Sequence, residues 1–195
     1  MKKINLLFIM MAVIVMSGCA NSSALIRASN TSTRGDVFEE LSNGGLVPPG
    51  YADLRIASSL KTHKPGIYSA KDIHGTSDYK LLLNIDGQAV QLQGSLHEEN
   101  SEPSGRDAEA GEGIRYRFNK KLRLKAGTHK VVLAIPADDL AIEREITLTE
   151  GSSNSLVLEP AYRQTPGKRR PDFYGVTSYK EGIKGIWLVL NGKTL

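Results

Sequence analysis

Cysteine is nearly absent from this chain, because Cys19 is the only one among 195 residues. A lone cysteine has no partner for a disulfide within the chain, so a disulfide framework is excluded. Long apolar runs are also missing, since the longest, residues 6–16, contains eleven residues. A membrane-spanning helix needs about 20 predominantly apolar residues, and the sequence therefore predicts no such helix.

A large excess of one charge sign is likewise missing. The chain has 25 lysines and arginines against 21 aspartates and glutamates, a formal net charge of +4. Two of these cations, Lys2 and Lys3, lie in the first 18 residues, which contain no acid, so the remaining chain has a net charge of +2. This charge balance gives no support to a nucleic-acid partner.

The amino terminus has the organisation of a secretory signal. A positive region, an apolar region and two small residues follow one another within residues 1–18. The sequence Met16-Ser17-Gly18-Cys19 at its end resembles the lipobox of bacterial lipoproteins. The resemblance implies cleavage before Cys19 and attachment of acyl chains to that residue. The alternatives are an uncleaved membrane helix, which the short apolar run disfavours, and an ordinary secretory signal with an incidental cysteine.

Acylation of Cys19 would make the membrane the first partner of the protein. Several acyl chains, at about 0.8 kcal/mol per buried methylene, hold a protein on a bilayer without a spanning helix. The modified residue would leave no thiol for thiolate metal ligation or nucleophilic catalysis. Ala20 follows the cysteine where inner-membrane lipoproteins of the enteric type often carry aspartate. The resemblance therefore implies the outer membrane, with the protein facing the periplasm or the outside.

The composition predicts four regions along the chain. The signal peptide occupies residues 1–18, and its removal leaves 177 residues, enough for one domain or for one domain with a small companion. Small polar residues are typical of a flexible tether over 19–50, with a short helix predicted at 36–41. The folded domain is expected over 51–162. A basic linker and a C-terminal strand are expected over 163–195.

Apolar and polar residues alternate from Tyr51 to Tyr162 with a period of two, which is typical of β-strands. The faces predicted to point inward are Leu54, Ile56, Ser58 and Leu60; Tyr79, Leu81, Leu83 and Ile85; Tyr116, Phe118, Leu122 and Leu124; His129, Val131, Leu133 and Ile135; and Ile142, Arg144, Ile146 and Leu148. Asp86-Gly87 is a preferred dipeptide for a type I′ hairpin turn. Short strands and no convincing long helix predict a mostly β fold, an antiparallel β-sandwich.

Three segments of this region resemble one known family. Asn84-Ile85-Asp86-Gly87, residues 122–133 and residues 146–158 are similar to the PEGA-type domain of bacterial surface proteins. The similarity covers about residues 79–162. It implies an immunoglobulin-like topology and a role in binding or presentation in the cell envelope, and it transfers no catalytic residue.

Residues 95–113 contain six acids and almost no apolar residues. This composition predicts a long exposed loop inserted between strands. Clustered carboxylates suit calcium, but an EF-hand loop needs oxygen ligands at fixed positions, a central glycine and a closing glutamate. The acids do not fit that register, so we interpret the segment as a solvated loop rather than a metal site.

The C-terminal region combines a basic run with aromatic residues. Lys168-Arg169-Arg170 either contacts anionic lipid headgroups or lipopolysaccharide phosphates, at about 1 kcal/mol per cation, or forms a solvated connector. The apolar run 186–190 predicts a strand that returns to pair with the Leu54 strand. Five aromatic residues are candidate contacts for a partner: Tyr51, Tyr68, Tyr174, Tyr179 and Trp187.

Few residues of the chain suggest catalysis or metal binding. The four histidines, at 63, 74, 97 and 129, fall in separate segments without metal-ligand spacing. No phosphate-binding loop, nucleophile elbow or H-E-x-x-H motif is present in the sequence. We therefore expect no metal and no cofactor.

Two functional hypotheses remain. The preferred one is a non-enzymatic envelope lipoprotein whose β-sandwich binds or presents to an envelope protein or polysaccharide. The alternative is a hydrolase of envelope polymers, with carboxylates between Glu98 and Glu112 acting as general acid and base. Such a pair must lie roughly 5 to 9.5 Å apart across a cleft.

Overall fold

Two β-sheets make up the fold in the computed structural model, which describes residues 22–42, 45–66, 70–102, 107–164 and 177–195. The strands are β1 (Phe38–Glu40), β2 (Tyr51–Thr62), β3 (Lys80–Ile85), β4 (Gln88–Gln93), β5 (Ser95–Asn100), β6 (Glu112–Lys125), β7 (Gly127–Ile135), β8 (Leu140–Leu148), β9 (Ser153–Tyr162), β10 (Ile183–Leu190) and β11 (Lys193–Thr194). Short 3₁₀ helices occupy Pro136–Asp138 and Tyr179–Glu181, and residues 22–29 are α-helical. None of the helices in these described ranges is long and apolar enough to cross a bilayer.

One sheet has seven strands in the order β1-β6-β2-β9-β10-β11, with β5 also paired to β6. The other has four strands in the order β4-β3-β7-β8. The inward faces of both sheets contribute to a single apolar core, which includes Leu54, Ile56, Leu81, Leu83, Ile85, Tyr116, Phe118, Leu122, Val131, Leu133, Ile146, Leu156 and Leu188. The predicted mostly β fold is confirmed, because the period-two pattern places these residues on the buried side of each strand.

The hairpin between β3 and β4 forms where the dipeptide Asp86-Gly87 predicts it. Both residues have positive φ, 47° at Asp86 and 94° at Gly87, and Ile85 pairs with Gln88. A type I′ turn requires this backbone conformation at both central positions. The sequence therefore determines the register of this strand pair locally.

The seven-stranded sheet is not wholly antiparallel, so that part of the prediction is wrong. β9 lies beside β2 in parallel, with Asp53 opposite Ser153 and Ser58 opposite Leu158. The predicted pairing of the C-terminal strand with the Leu54 strand is also wrong, because β9 lies between them and β10 pairs with β9. The chain changes sheets between β8 and β9, and β9 runs in the larger sheet in the same direction as β2.

The described part of the predicted tether is packed against the four-stranded sheet. Helical residues 22–29 and the residues after them cover the outer face of that sheet, where the Asn84 side chain donates hydrogen bonds to the carbonyl oxygens of Ala28 at 2.9 Å and Thr31 at 3.2 Å. Leu82, on the same outer face, is buried as well. A composition of small polar residues did not prevent this segment from docking, since backbone carbonyls and the hydroxyls of Ser32 and Thr33 form hydrogen bonds with the sheet and its β3–β4 hairpin.

The short helix predicted at 36–41 is also wrong. Phe38–Glu40 form β1, which pairs antiparallel with the C-terminal half of β6. The Gln88 side chain directs this segment, because its Oε1 accepts from the backbone N–H groups of Val37 and Phe38 and its Nε2 donates to the carbonyl oxygen of Phe38. Contacts with a distant residue thus override the local helix preference.

The acidic segment 95–113 is not a simple exposed loop. Its first part forms β5, which pairs antiparallel with the N-terminal half of β6 over Ser95–Arg117 to Asn100–Glu112. Nearly all β5 side chains are exposed. An edge strand exposed on both faces lacks apolar alternation, which is why the sequence pattern did not reveal it.

Candidate functional site

His63, Asp72 and His74 come together at one end of the fold. His63 directly follows β2, and the other two residues lie in the irregular segment that precedes β3. Gly75, at φ 75°, allows the two segments to meet. A Cβ at this position would lie 2.6 Å from Cδ of Pro65 and 2.7 Å from the carbonyl oxygen of His63. Only glycine combines this backbone conformation with such a close approach.

One carboxylate bridges the two imidazoles of this cluster. Oδ2 of Asp72 lies 2.6 Å from Nε2 of His63, and Oδ1 lies 2.6 Å from Nδ1 of His74. The backbone N–H of His74 also donates to Oδ1 of Asp72, at 3.0 Å. The three side chains are 11%, 13% and 17% exposed, in the order His63, Asp72 and His74. The three side chains therefore position one another and are still reachable from solvent.

A second carboxylate stands behind His74. Oδ1 of Asp138 lies 3.4 Å from Nε2 of His74, and that nitrogen is buried without a hydrogen-bond partner among the described residues. Asp138 is itself fixed, because the Tyr79 hydroxyl donates to its Oδ2 at 2.7 Å and the backbone N–H of Ile183 donates to its Oδ1 at 3.2 Å. The 3₁₀ helix after β7 positions this aspartate.

The cluster keeps its aspartates ionised. Burial is the largest single effect on Asp72 and opposes ionisation, but hydrogen bonds from His74 and His63 outweigh it and lower the pKa of Asp72 to about 2. Interaction with Asp138, and then with Asp72, raises the pKa of His74 against the effect of burial. Burial likewise opposes ionisation of Asp138, and His74 and Tyr79 nevertheless lower its pKa.

The sequence did not reveal this cluster, although its residues carry metal-binding chemistry. A ligand atom from each of His63, Asp72 and His74 lies within 4.8 Å of the other two. The other two histidines lie apart from this cluster, as the sequence predicts. His97 is exposed on β5, and His129 contacts Asp86. The only trace of the cluster in the sequence is the pair Asp72 and His74, two positions apart. This pair indicates a metal site only after folding brings His63 beside it.

The predicted partner contacts have different positions. Trp187 on β10 is 57% exposed, and Tyr51 on β2 is partly exposed. Tyr179 is buried, with the centre of its ring 5.0 Å from Nζ of Lys61, so its side chain is not accessible to a partner. The remaining candidates lie outside the described residues: Cys19, Tyr68, Lys168, Arg169, Arg170 and Tyr174.

Trp187 projects from the outer face of the seven-stranded sheet. Val189, two residues after Trp187 on β10, lies on the same face of the sheet. Val189 is opposite Val157 of β9, and Val157 is opposite Ala57 of β2, so these three apolar residues form a row beside the indole. Trp187 itself is opposite the exposed Glu159. We refer to Trp187 and the row Ala57, Val157 and Val189 as the tryptophan face.

Two acids of segment 95–113, Glu99 and Glu109, form ion pairs beside a buried lysine. The Lys61 side chain is fully buried, and its Nζ donates to the carbonyl oxygens of Gly111 at 2.6 Å and Glu109 at 2.9 Å. Glu99 approaches the same Nζ at 3.3 Å, and Arg115 binds Glu99 at 2.5 Å and Glu109 at 2.7 Å. These contacts anchor the segment to the sheet.

This pairing is the reverse of what acid catalysis requires. The Arg115 guanidinium, aided by Lys61, lowers the pKa of Glu99 against the effect of partial burial. Lys64 lowers the pKa of Glu112, whereas a general acid working near neutral pH needs a raised pKa.

Comparisons of the chain with protein-family models, curated proteins and solved structures found no match. The chemistry of these residues is therefore inferred from their own geometry.

Proposed function

We propose that the protein is a lipid-anchored lipoprotein of the bacterial cell envelope, directed to the outer membrane, whose β-sandwich is a non-enzymatic binding module. The support for the anchor is Met16-Ser17-Gly18-Cys19 after a short apolar run. Ser22, the first described residue, is helical and lies only three residues after Cys19. At a maximum of roughly 3.6 Å per residue, this spacing would hold Ser22, at the start of the helix on the four-stranded sheet, within about 11 Å of the acylated cysteine.

The proposal includes an immunoglobulin-like, PEGA-type domain over residues 79–162. Its support is the tight β3–β4 hairpin at Asp86-Gly87 and the long antiparallel pairing of β7 with β8. Domains of this type act by presenting a surface. A binding role therefore needs a surface on this chain that is unusual for a protein exposed to water.

The observation that carries the binding role is the exposure of Trp187. Tryptophan is highly buried on average, yet this one is 57% exposed in the middle of a regular strand. It stands on the outer face of the sheet beside the apolar row Ala57, Val157 and Val189, with the charged Glu159 opposite. A planar indole flanked by a small apolar strip and a carboxylate suits stacking on a sugar ring with a hydrogen bond to its hydroxyls. We favour an envelope polysaccharide over a protein because the apolar strip is narrow.

Trp187 is the only tryptophan of the chain, so its fluorescence reports directly on this face. The full-length protein, purified in detergent, would be titrated with peptidoglycan fragments and with lipopolysaccharide. Stacking predicts a saturable blue shift or quenching, and the same affinity in a pull-down. Trp187→Ala should lose the pull-down, while Leu96→Ala, which removes an exposed leucine from β5, should retain it.

Two results would contradict this proposal. Equal polysaccharide binding by wild type and Trp187→Ala would remove the tryptophan face from the binding site. A fluorescence response to envelope protein fractions, with none to either polysaccharide, would make the ligand class wrong.

A further inference from the structure

We propose that His63, Asp72 and His74 form a binding site for a divalent transition-metal ion of the zinc class. The inference goes beyond the proposed envelope role and does not depend on it. Two imidazole nitrogens and one carboxylate oxygen suit Zn²⁺ and its first-row neighbours, whereas Mg²⁺ and Ca²⁺ prefer oxygen ligands alone. The three ligand atoms already lie within 4.8 Å of one another.

The geometry needs only a small adjustment to accept an ion. Ligand atoms at 2.0–2.1 Å from a tetrahedral Zn²⁺ lie about 3.3 Å apart. In the described form, Nε2 of His63 and Nδ1 of His74 each lie 2.6 Å from an oxygen of Asp72, because hydrogen bonds join them. On replacement of a bridging proton by the cation, a nitrogen–oxygen contact of this kind opens by less than about 1 Å, and a pair of ligand atoms at the 4.8 Å limit closes by about 1.5 Å. Rotation of side chains on the irregular segment before β3 supplies this movement.

An independent observation at His74 points to the same ligand. Nε2 of His74 is buried, and no described residue forms a hydrogen bond with it, although Oδ1 of Asp138 lies 3.4 Å away. A histidine that binds a metal through one nitrogen usually donates its other N–H to a carboxylate, which fixes the ring and strengthens the ligand. With the ion on Nδ1, the Nε2–H faces Asp138. The hydrogen bond from Tyr79 holds that carboxylate in place before any ion arrives.

The remaining position on the ion faces the solvent. Three protein ligands leave a tetrahedral ion with one site for water or another ligand, the pattern of open rather than structural zinc sites. The 11–17% exposure of the three side chains provides the entry path. If the cluster is instead only a structural set of hydrogen bonds, it binds no ion. Titration of the protein with Zn²⁺ distinguishes these two alternatives.

The test is calorimetric titration of the full-length protein in detergent, after removal of metal with a chelator. We expect one Zn²⁺ per chain, and no comparable binding of Mg²⁺. Asp72→Asn and His74→Gln should abolish this stoichiometric site, while His97→Gln, at an exposed histidine of β5, should leave it intact. Asp138→Asn should weaken the affinity for Zn²⁺ about tenfold to a hundredfold, the range found when a residue that hydrogen-bonds to a metal ligand is replaced. With Co²⁺ in place of Zn²⁺, the visible absorption should have the intensity of a four-coordinate ion.

The wild-type titration is decisive even where a variant fails to fold. Absence of saturable 1:1 binding of Zn²⁺ to folded wild-type protein would overturn the proposal. Equal loss of binding in His97→Gln and His74→Gln would do the same, since it would indicate adventitious surface sites. Circular dichroism of each variant identifies those that are folded, and a Zn²⁺-dependent rise in the thermal midpoint of wild type but not of His74→Gln would support the site.

Discussion

Replacing Gly75 by alanine should destabilise the protein more than the same change at another glycine of similar backbone conformation. Gly75 has φ 75°, and a non-glycine residue in this left-handed region costs about 1–2 kcal/mol. An added Cβ would also lie 2.6 Å from Cδ of Pro65 and 2.7 Å from the carbonyl oxygen of His63. Forcing these groups apart costs about 1–3 kcal/mol more. The expected loss is therefore about 2–5 kcal/mol.

Gly151 provides the matched control for Gly75→Ala. Its φ is 71°, and a Cβ there would meet no heavy atom of the described chain within 4 Å. Gly151→Ala should cost only the conformational part, about 1–2 kcal/mol. Chemical denaturation followed by far-ultraviolet circular dichroism gives both losses in unfolding free energy. If Gly75→Ala is no more destabilising than Gly151→Ala, Gly75 does not approach His63 and Pro65 as closely as described here.

Three further predictions concern contacts that hold the sheets and their coverings together. Asn84→Ala should reduce the unfolding free energy by about 2 kcal/mol and increase amide hydrogen exchange over residues 22–29, because it removes buried hydrogen bonds to that segment; unchanged exchange there would contradict the docking. Lys61→Met should cost about 3–5 kcal/mol, because it leaves buried acceptors unpaired, whereas Lys130→Met, in an exposed ion pair, should cost less than about 1 kcal/mol; equal losses in denaturation experiments would refute the distinction. The lowered pKa of Glu99 contributes stability that is present above its unfolded pKa and is lost as pH falls through the lower folded value; Glu99→Gln should flatten this part of the acid denaturation curve, and an unchanged curve would count against the ion pair.

Local signals in the sequence were sufficient for the central strands. The alternation in β2, β3, β6 and β7 predicted the residues that face the core, because every second residue of each strand points into it. The Asp86-Gly87 turn predicted the β3–β4 register, because few residues other than these adopt positive φ at both positions. These features depend on neighbouring residues and little else.

Features that depend on distant residues escaped the sequence analysis. The Gln88 side chain makes a strand of residues predicted to be helical, and the Asn84 side chain binds residues predicted to be a tether. β5 has no apolar face, because its pairing with β6 at the sheet edge involves backbone groups. The cluster of His63, Asp72 and His74 depends on a glycine that lets two segments approach. None of these contacts leaves a periodic trace in the sequence.

The most direct test of the proposed envelope role is the chemical state of Cys19. Mass spectrometry of the mature amino terminus, with fractionation of cells that express wild type or Cys19→Ala, measures it. We predict loss of residues 1–18, an acylated Cys19 and wild-type protein in the outer-membrane fraction, with Cys19→Ala released from the membrane. An intact amino terminus or an unmodified Cys19 in wild-type protein would contradict the lipoprotein assignment.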